Sequence, residues 1–368
     1  MFYDGSTVCA DTGEPDLMKA KRQFFGTLSD GGKASLFTVQ NAGLTLSATD
    51  FGCAITSLVF TADNGKKTDV VLGFPTLDGY AQNWGSFGAV IGRYSNKISG
   101  PGFLLDGKHF PLFDNCGGTC LHGGFPRWEN ILWRGKCIRR HKACGIAFEN
   151  MFPDGFQGFP GNLRVRVEYL IDDSNTLTAR YCAETDRDTP VSITNHSYFN
   201  LSGSGDVRNH MLQLFCRRVL ETGRHTVPTG KILDVKDSPY DFLQQKKIGA
   251  GLELLPEGYD VCFVTDAFSE KSGIPAAETP LVRIAELSDA LSGIKMSVST
   301  NAEGMQLYTA QHVKYLPGKY GAYYMPFSGV CFETQNFPDS PNRPEFPSVI
   351  LRPGQLYTSI TEYHFSQI

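Results

Sequence analysis

The 368-residue sequence predicts an all-β protein, a sandwich or barrel of many short antiparallel strands. Three observations carry that reading. Thirty-nine glycines and twenty prolines cut the chain into short segments. Several of those segments alternate apolar and polar residues with the two-residue period of a half-buried strand. Long amphipathic helices are absent.

In chain order, residues 1–20 read as an N-terminal extension and residues 21–368 as one domain, since no internal repeat or long linker divides them. Leu44, Leu46 and Ala48 share one face of a strand. Leu163 to Ile171 is the clearest case: Leu163, Val165, Val167, Tyr169 and Ile171 fall on one face and the charged residues on the other, as in a sheet packed on one side and wet on the other. Asp172-Asp173-Ser174-Asn175 then supplies a turn before a β-prone run from Thr176 to Tyr181. The best helical candidate, Phe242 to Leu255, is interrupted by Gly249 and Gly251 and can only be short. Ala267 to Pro280 is expected to be an exposed loop.

Composition narrows the function. With 34 basic and 38 acidic residues interspersed, a net charge of -4 gives no basic field for nucleic acid or anionic membrane, so the expected ligand is neutral. No run of about eighteen apolar residues is present, and the N-terminal residues lack an apolar signal core. Ten cysteines show neither a disulfide framework nor zinc-site spacing and read mostly as buried free thiols in a reducing cytoplasm.

Glycine-rich nucleotide loops, a Gly-x-Ser-x-Gly elbow and a His-Glu-x-x-His helix are all missing. Ionisable residues in apolar, turn-rich surroundings remain: His122 in Leu121-His122-Gly123-Gly124, His196 in Thr194-Asn195-His196-Ser197-Tyr198-Phe199-Asn200-Leu201, and Glu333 in Cys331-Phe332-Glu333-Thr334-Gln335-Asn336. Taken singly, each imidazole reads best as structural. Glu333 follows Val330-Cys331-Phe332, a strand entering the core, where an unpaired carboxylate is costly. The Gly123-Gly124 pair fits a close backbone approach to a ligand and a simple turn equally well. Together, a carboxylate and two imidazoles without metal-ligand spacing suit proton transfer between neutral oxygens. The rival is hydrolysis by two carboxylates, with Asp260 as the partner of Glu333.

These segments resemble the galactose mutarotase (aldose 1-epimerase) family. The resemblance begins near Phe25-Gly26 and passes through Asp69 to Phe74, Gly88 to Arg93, and the three segments above, ending at Glu333 to Asp339 and Leu351-Arg352-Pro353-Gly354. It implies a large antiparallel β-supersandwich that binds a monosaccharide on a concave sheet face and interconverts its anomers. No cofactor, metal, nucleic acid or membrane partner is implied, and the chain is expected to be a monomer or homodimer. By the same resemblance Glu333 is the base, His196 the acid and His122 a second imidazole near the ring oxygen, while Asp260, Asn96 and Lys97 bind sugar hydroxyls. A neighbouring carboxylate is expected to keep His196 protonated.

Four positions at three places depart from the family pattern. Lys97 stands where an arginine is usual, Val261-Cys262 where His-Asn is common, and Ala302 where some members carry a sugar-holding glutamine. These bear on sugar preference more than on chemistry. Alternatives are a hexose-6-phosphate mutarotase, a sugar sensor without turnover and a glycoside-cleaving relative.

Overall fold

The computed structural model describes residues 19–82, 85–140, 142–268 and 279–368. Of the expected extension, only Lys19 and Ala20 are described, and they open a strand, Lys19–Thr27. Residues 269–278 of the expected loop lie outside the described residues.

Among the described residues three large antiparallel sheets dominate. The first takes five strands in chain order, Lys19–Thr27, Lys33–Gln40, Leu44–Thr49, Ile55–Thr61 and Lys67–Asp69. The second, with nine strands, is built around Ala143–Phe152, Leu163–Asp172, Thr176–Thr185 and the C-terminal strand Tyr357–Gln367. The third runs Pro228–Asp234, Arg218–Thr222, Asp260–Val264, Gly304–Tyr308, Cys331–Gln335.

The period-two runs place their apolar faces as predicted. Leu163, Val165, Val167, Tyr169 and Ile171 are fully buried, and each fully buried aliphatic side chain contributes about 1.5–3 kcal/mol. On the opposite face Glu168 is held by Arg166 at 2.6 Å and Arg140 at 2.7 Å. One core joins the sheets: Phe37 and Leu46 from the first, Val165 and Tyr363 from the second, and Val261, Leu307 and Phe332 from the third. Phe37 meets Phe148 edge-on at 5.7 Å across the first two layers.

Helix is scarce. The one α-helix among the described residues is Leu77–Ala81, and the candidate at Phe242 to Leu255 keeps a single 3₁₀ turn, Ile248–Gly251. A Cβ on Gly251 would lie 1.9 Å from the Tyr259 hydroxyl, so the glycine that weakens the helix is there for a close approach. Among the described residues no helix is long and apolar enough to cross a membrane.

Candidate active site

The third sheet forms the floor of the site. Its register sets Asp260 opposite Tyr308 and Tyr308 opposite Cys331, then Cys262 opposite Gln306 and Gln306 opposite Glu333. Alternate residues of a strand share a face, so these six side chains lie on one surface while Val261, Leu307 and Phe332 face the core. The alternation of Cys331-Phe332-Glu333 therefore lifts the carboxylate out of the apolar layer and keeps it buried beneath the cavity.

A second element brings the imidazole to it. Phe199 and Val330 exchange backbone hydrogen bonds of 2.8 and 2.9 Å, and His196 and Glu333 each lie three residues from that bridge. The His196 backbone is clamped in turn by Ala89 and Gly88 at 2.9 Å each. Beside it, the Asn195 carboxamide donates to the Gly88 carbonyl at 2.6 Å and the Tyr169 hydroxyl at 3.0 Å. As a result His196 Nε2 stands 3.5 Å from Glu333 Oε1.

The third wall comes from Lys97–Ser99 paired with Thr119–Leu121. Asp339 anchors it, accepting from Ser99 N at 2.8 Å while its own N–H donates to the Lys97 carbonyl at 2.7 Å. Where this ribbon ends, His122, Gly123 and Gly124 all take positive φ. A Cβ on Gly123 would meet the Gly92 carbonyl at 2.5 Å, so the close approach made by this glycine is to backbone. His122 N donates to the Asn96 carbonyl at 2.8 Å, and Asn96 N donates to His122 Nδ1 at 3.2 Å. A backbone N–H can only donate, so the neutral His122 ring carries its proton on Nε2.

One cavity of about 540 Å³ is lined by Asn96, Lys97, His122, His196, Asp260 and Glu333, all six residues singled out from the sequence. His122 and His196 meet edge-on at 5.7 Å. Glu333 Oε2 is buried without a hydrogen-bond partner, which suits a polar ligand at this spot.

Electrostatics in the cavity follow from burial. Glu333 is pushed well above the usual carboxylate range, first by desolvation and then by the Asp260 charge. His196 is driven down to about 4 by desolvation. The expectation that a neighbouring carboxylate keeps His196 protonated is thus overturned: removing both groups from water penalises both charged forms. His122 is also held well below its usual value, by burial and then by the charges of His196, Arg127 and Lys97.

The atoms of His122, His196 and Glu333 lie within 4.8 Å of one another, close enough to consider a cation. His122 fits that role poorly. Its Nδ1 lone pair is occupied by Asn96 N–H, and the other nitrogen bears the ring proton.

The sequence departures resolve in different ways. Lys97 Nζ donates to the His225 carbonyl at 2.7 Å and to the Thr226 hydroxyl, which leaves one of its three donors for the cavity. Cys262 is buried, in an apolar cluster with Phe337 and Phe346. Ala302 is buried ahead of the strand Gly304–Tyr308. Gln306, opposite Glu333 on the floor sheet, donates to Asp260 Oδ1 at 2.7 Å. Sequence reading missed Gln306, although its alternation with Leu307 and its position before Tyr308 mark a strand face. It also missed Arg127 and Tyr308, which line the cavity.

Against known proteins, the sequence model of the family described as aldose 1-epimerase matches residues 35–364. The chain belongs to the aldose 1-epimerase family. It is 36% identical over 355 residues to the galactose mutarotase of Rattus norvegicus, covering 95% of this chain and 99% of that protein. To the aldose 1-epimerase of Escherichia coli K12 it is 31% identical over 347 residues, 91% of this chain and 96% of that one. Among solved structures, the GalM/aldose epimerase homologue from C. elegans superimposes with a TM-score of 0.78 at 29% identity, covering 89% and 96% of the two chains. The all-β architecture read from the sequence is the fold of this aldose epimerase structure.

Proposed function

We propose that this aldose 1-epimerase family member interconverts the α and β anomers of free hexoses such as galactose and glucose, with Glu333 as base and His196 as acid. The observation that carries the reading is the 3.5 Å approach of His196 Nε2 to Glu333 Oε1 in a cavity that Asp260 also lines. Glu333 takes the proton of the anomeric hydroxyl, His196 gives a proton to the ring oxygen, and the C1–O5 bond breaks to leave the open-chain aldehyde. Rotation about C1–C2 turns the other carbonyl face inward. The same two groups then run in reverse to close the ring.

Burial tunes both partners in the useful direction. A carboxylate pushed up is a stronger base, and an imidazolium pushed down is a stronger acid. At rest desolvation favours the neutral pair, so the shared proton first passes from Glu333 Oε1 to His196 Nε2 across the 3.5 Å gap, and ring opening then returns the charged pair to the neutral one. His122, with its proton fixed on Nε2, serves as a standing donor to the ring oxygen, while Asp260, braced by Gln306, holds hydroxyls away from the breaking bond together with Asn96 and Lys97. The nine cysteines of the described residues are all free, seven of them buried, which supports a reducing compartment such as the cytoplasm.

The purified protein, exhaustively chelated, is expected to speed the optical-rotation change of freshly dissolved α-D-galactose or α-D-glucose. Relaxation at the buffer rate with these sugars and their 6-phosphates would remove the catalytic reading and favour a sensor. Lys97 acts on binding in this scheme. Because its contact is remote from C1–O5, Lys97→Ala is expected to raise KM by up to roughly tenfold with kcat little changed. An unaltered KM in progress curves would confine Lys97 to tethering the turn at His225 and Thr226.

A further inference from the structure

We infer that the Cys331 sulfur is a positioning group that holds His196 in the Nδ1–H form, so that the two histidines of the site are kept in opposite tautomers. The inference rests on the acid role proposed for His196. Once His196 Nε2 has given its proton to the ring oxygen, the proton left on the ring is at Nδ1, and that N–H needs an acceptor in a buried setting. The side-chain atom that reaches Nδ1 is Cys331 Sγ, at 3.6 Å, and the residue's own backbone carbonyl is a second acceptor for the ring. Cys331 is fully buried and lies two residues before Glu333 on the same strand face, so one strand sets both the base and the back of the acid.

Thiol sulfur is a weak, neutral acceptor. It can orient the ring in both the imidazolium and the neutral form, because Nδ1 carries a proton in each, and it adds no charge to stabilise the imidazolium. A carboxylate at this place would weaken the acid; an apolar side chain would leave Nδ1–H to the residue's own backbone carbonyl alone and loosen its hold on the proton, which on Nε2 would block return of the proton from O5. The remaining side chains do not compete for Nδ1. Tyr198 and Tyr308 meet the ring as aromatic contacts at 5.0 and 6.0 Å, Glu333 is at Nε2, and His122 meets the ring edge-on with its own Nδ1 already taken by Asn96 N–H. The backbone donor at His122 and the sulfur acceptor at His196 therefore divide the labour: one imidazole donates permanently and the other exchanges its proton.

Two-bond ¹H–¹⁵N correlation spectra of the wild-type protein at neutral pH, with the rings assigned from His122→Asn and His196→Asn, read both tautomers directly. The expected result is Nε2–H for His122 and Nδ1–H for His196. In Cys331→Val the His196 pattern is expected to move toward Nε2–H and kcat to fall roughly tenfold, about the worth of one hydrogen bond, with KM little changed. Cys331→Ser, which restores an acceptor, is expected to recover most of kcat and the Nδ1–H pattern. A purely packing role would lower melting temperature without moving the ring nitrogens, and serine would not rescue it. Finding His196 as Nε2–H in the wild-type protein overturns the inference without any variant, as does a Cys331→Val protein with wild-type kcat and an unmoved His196 spectrum. Absence of mutarotation by the wild-type protein would instead count against the proposed function, and the tautomers would still be read.

Discussion

Replacing Glu333 by glutamine is expected to lower kcat for anomer exchange by roughly 10²- to 10⁴-fold, the usual worth of one general base. Gln keeps the shape of the side chain and its place opposite Gln306, and loses only the capacity to accept a proton from the anomeric hydroxyl. Sugar binding, measured by calorimetry, is expected to survive. The same substitution is expected to stabilise the fold. The folded value of Glu333 is raised by burial, so the stability contributed by its neutral form is full below the unfolded value, about 4.3, and is lost as pH rises through the folded one. Glutamine is neutral throughout, and the melting temperature of Glu333→Gln should exceed that of the wild type by a margin that grows with pH. A variant that turns over normally would move the base elsewhere, with Asp260 the next candidate.

A second large effect is expected in the pH dependence of the wild-type enzyme. Glu333 and His196 interact closely enough that their titration belongs to the pair. Reaction needs one proton on that pair. Below the His196 value, about 4, both groups are protonated and no base remains. Above the raised Glu333 value the pair has given up its proton and no acid remains. A bell-shaped kcat profile follows, falling about tenfold per pH unit beyond each limb. Fold stability changes on the acid side too. Because burial depresses His122 and His196 below their ordinary values, their neutral forms contribute fully above about 6.5, and that contribution is lost as pH falls through the folded values.

The strands were legible wherever one face is buried against the core, because alternation from Leu163 to Ile171 or from Leu44 to Ala48 is itself the record of that packing. The six residues that line the cavity were picked out through short motifs, and the structure shows why those motifs are tight. Asn195, Gly88 and the Phe199–Val330 bridge fix His196, and Asp339 fixes the ribbon that carries Lys97. Cross-strand relations were not legible. Nothing in the residues around Gln306 says that it lies opposite Glu333 and beside Asp260, since register is set by three strands distant in sequence. The depressed His196 was misjudged for a related reason: a neighbouring carboxylate can be inferred from a motif, but the depth at which both groups sit depends on the packing around the cavity.

One proton shared between a buried carboxylate and a buried imidazole drives the proposed anomer exchange, and the wild-type pH profile of kcat tests this most directly. Anomer exchange in equilibrated galactose can be followed by magnetisation-transfer NMR across the range in which circular dichroism shows the fold intact, with the buffer rate subtracted at each pH. The predicted result is a bell whose alkaline limb lies well above the ordinary carboxylate range. A rate that stays level or keeps rising on the alkaline side while the fold is retained would contradict the shared-proton mechanism.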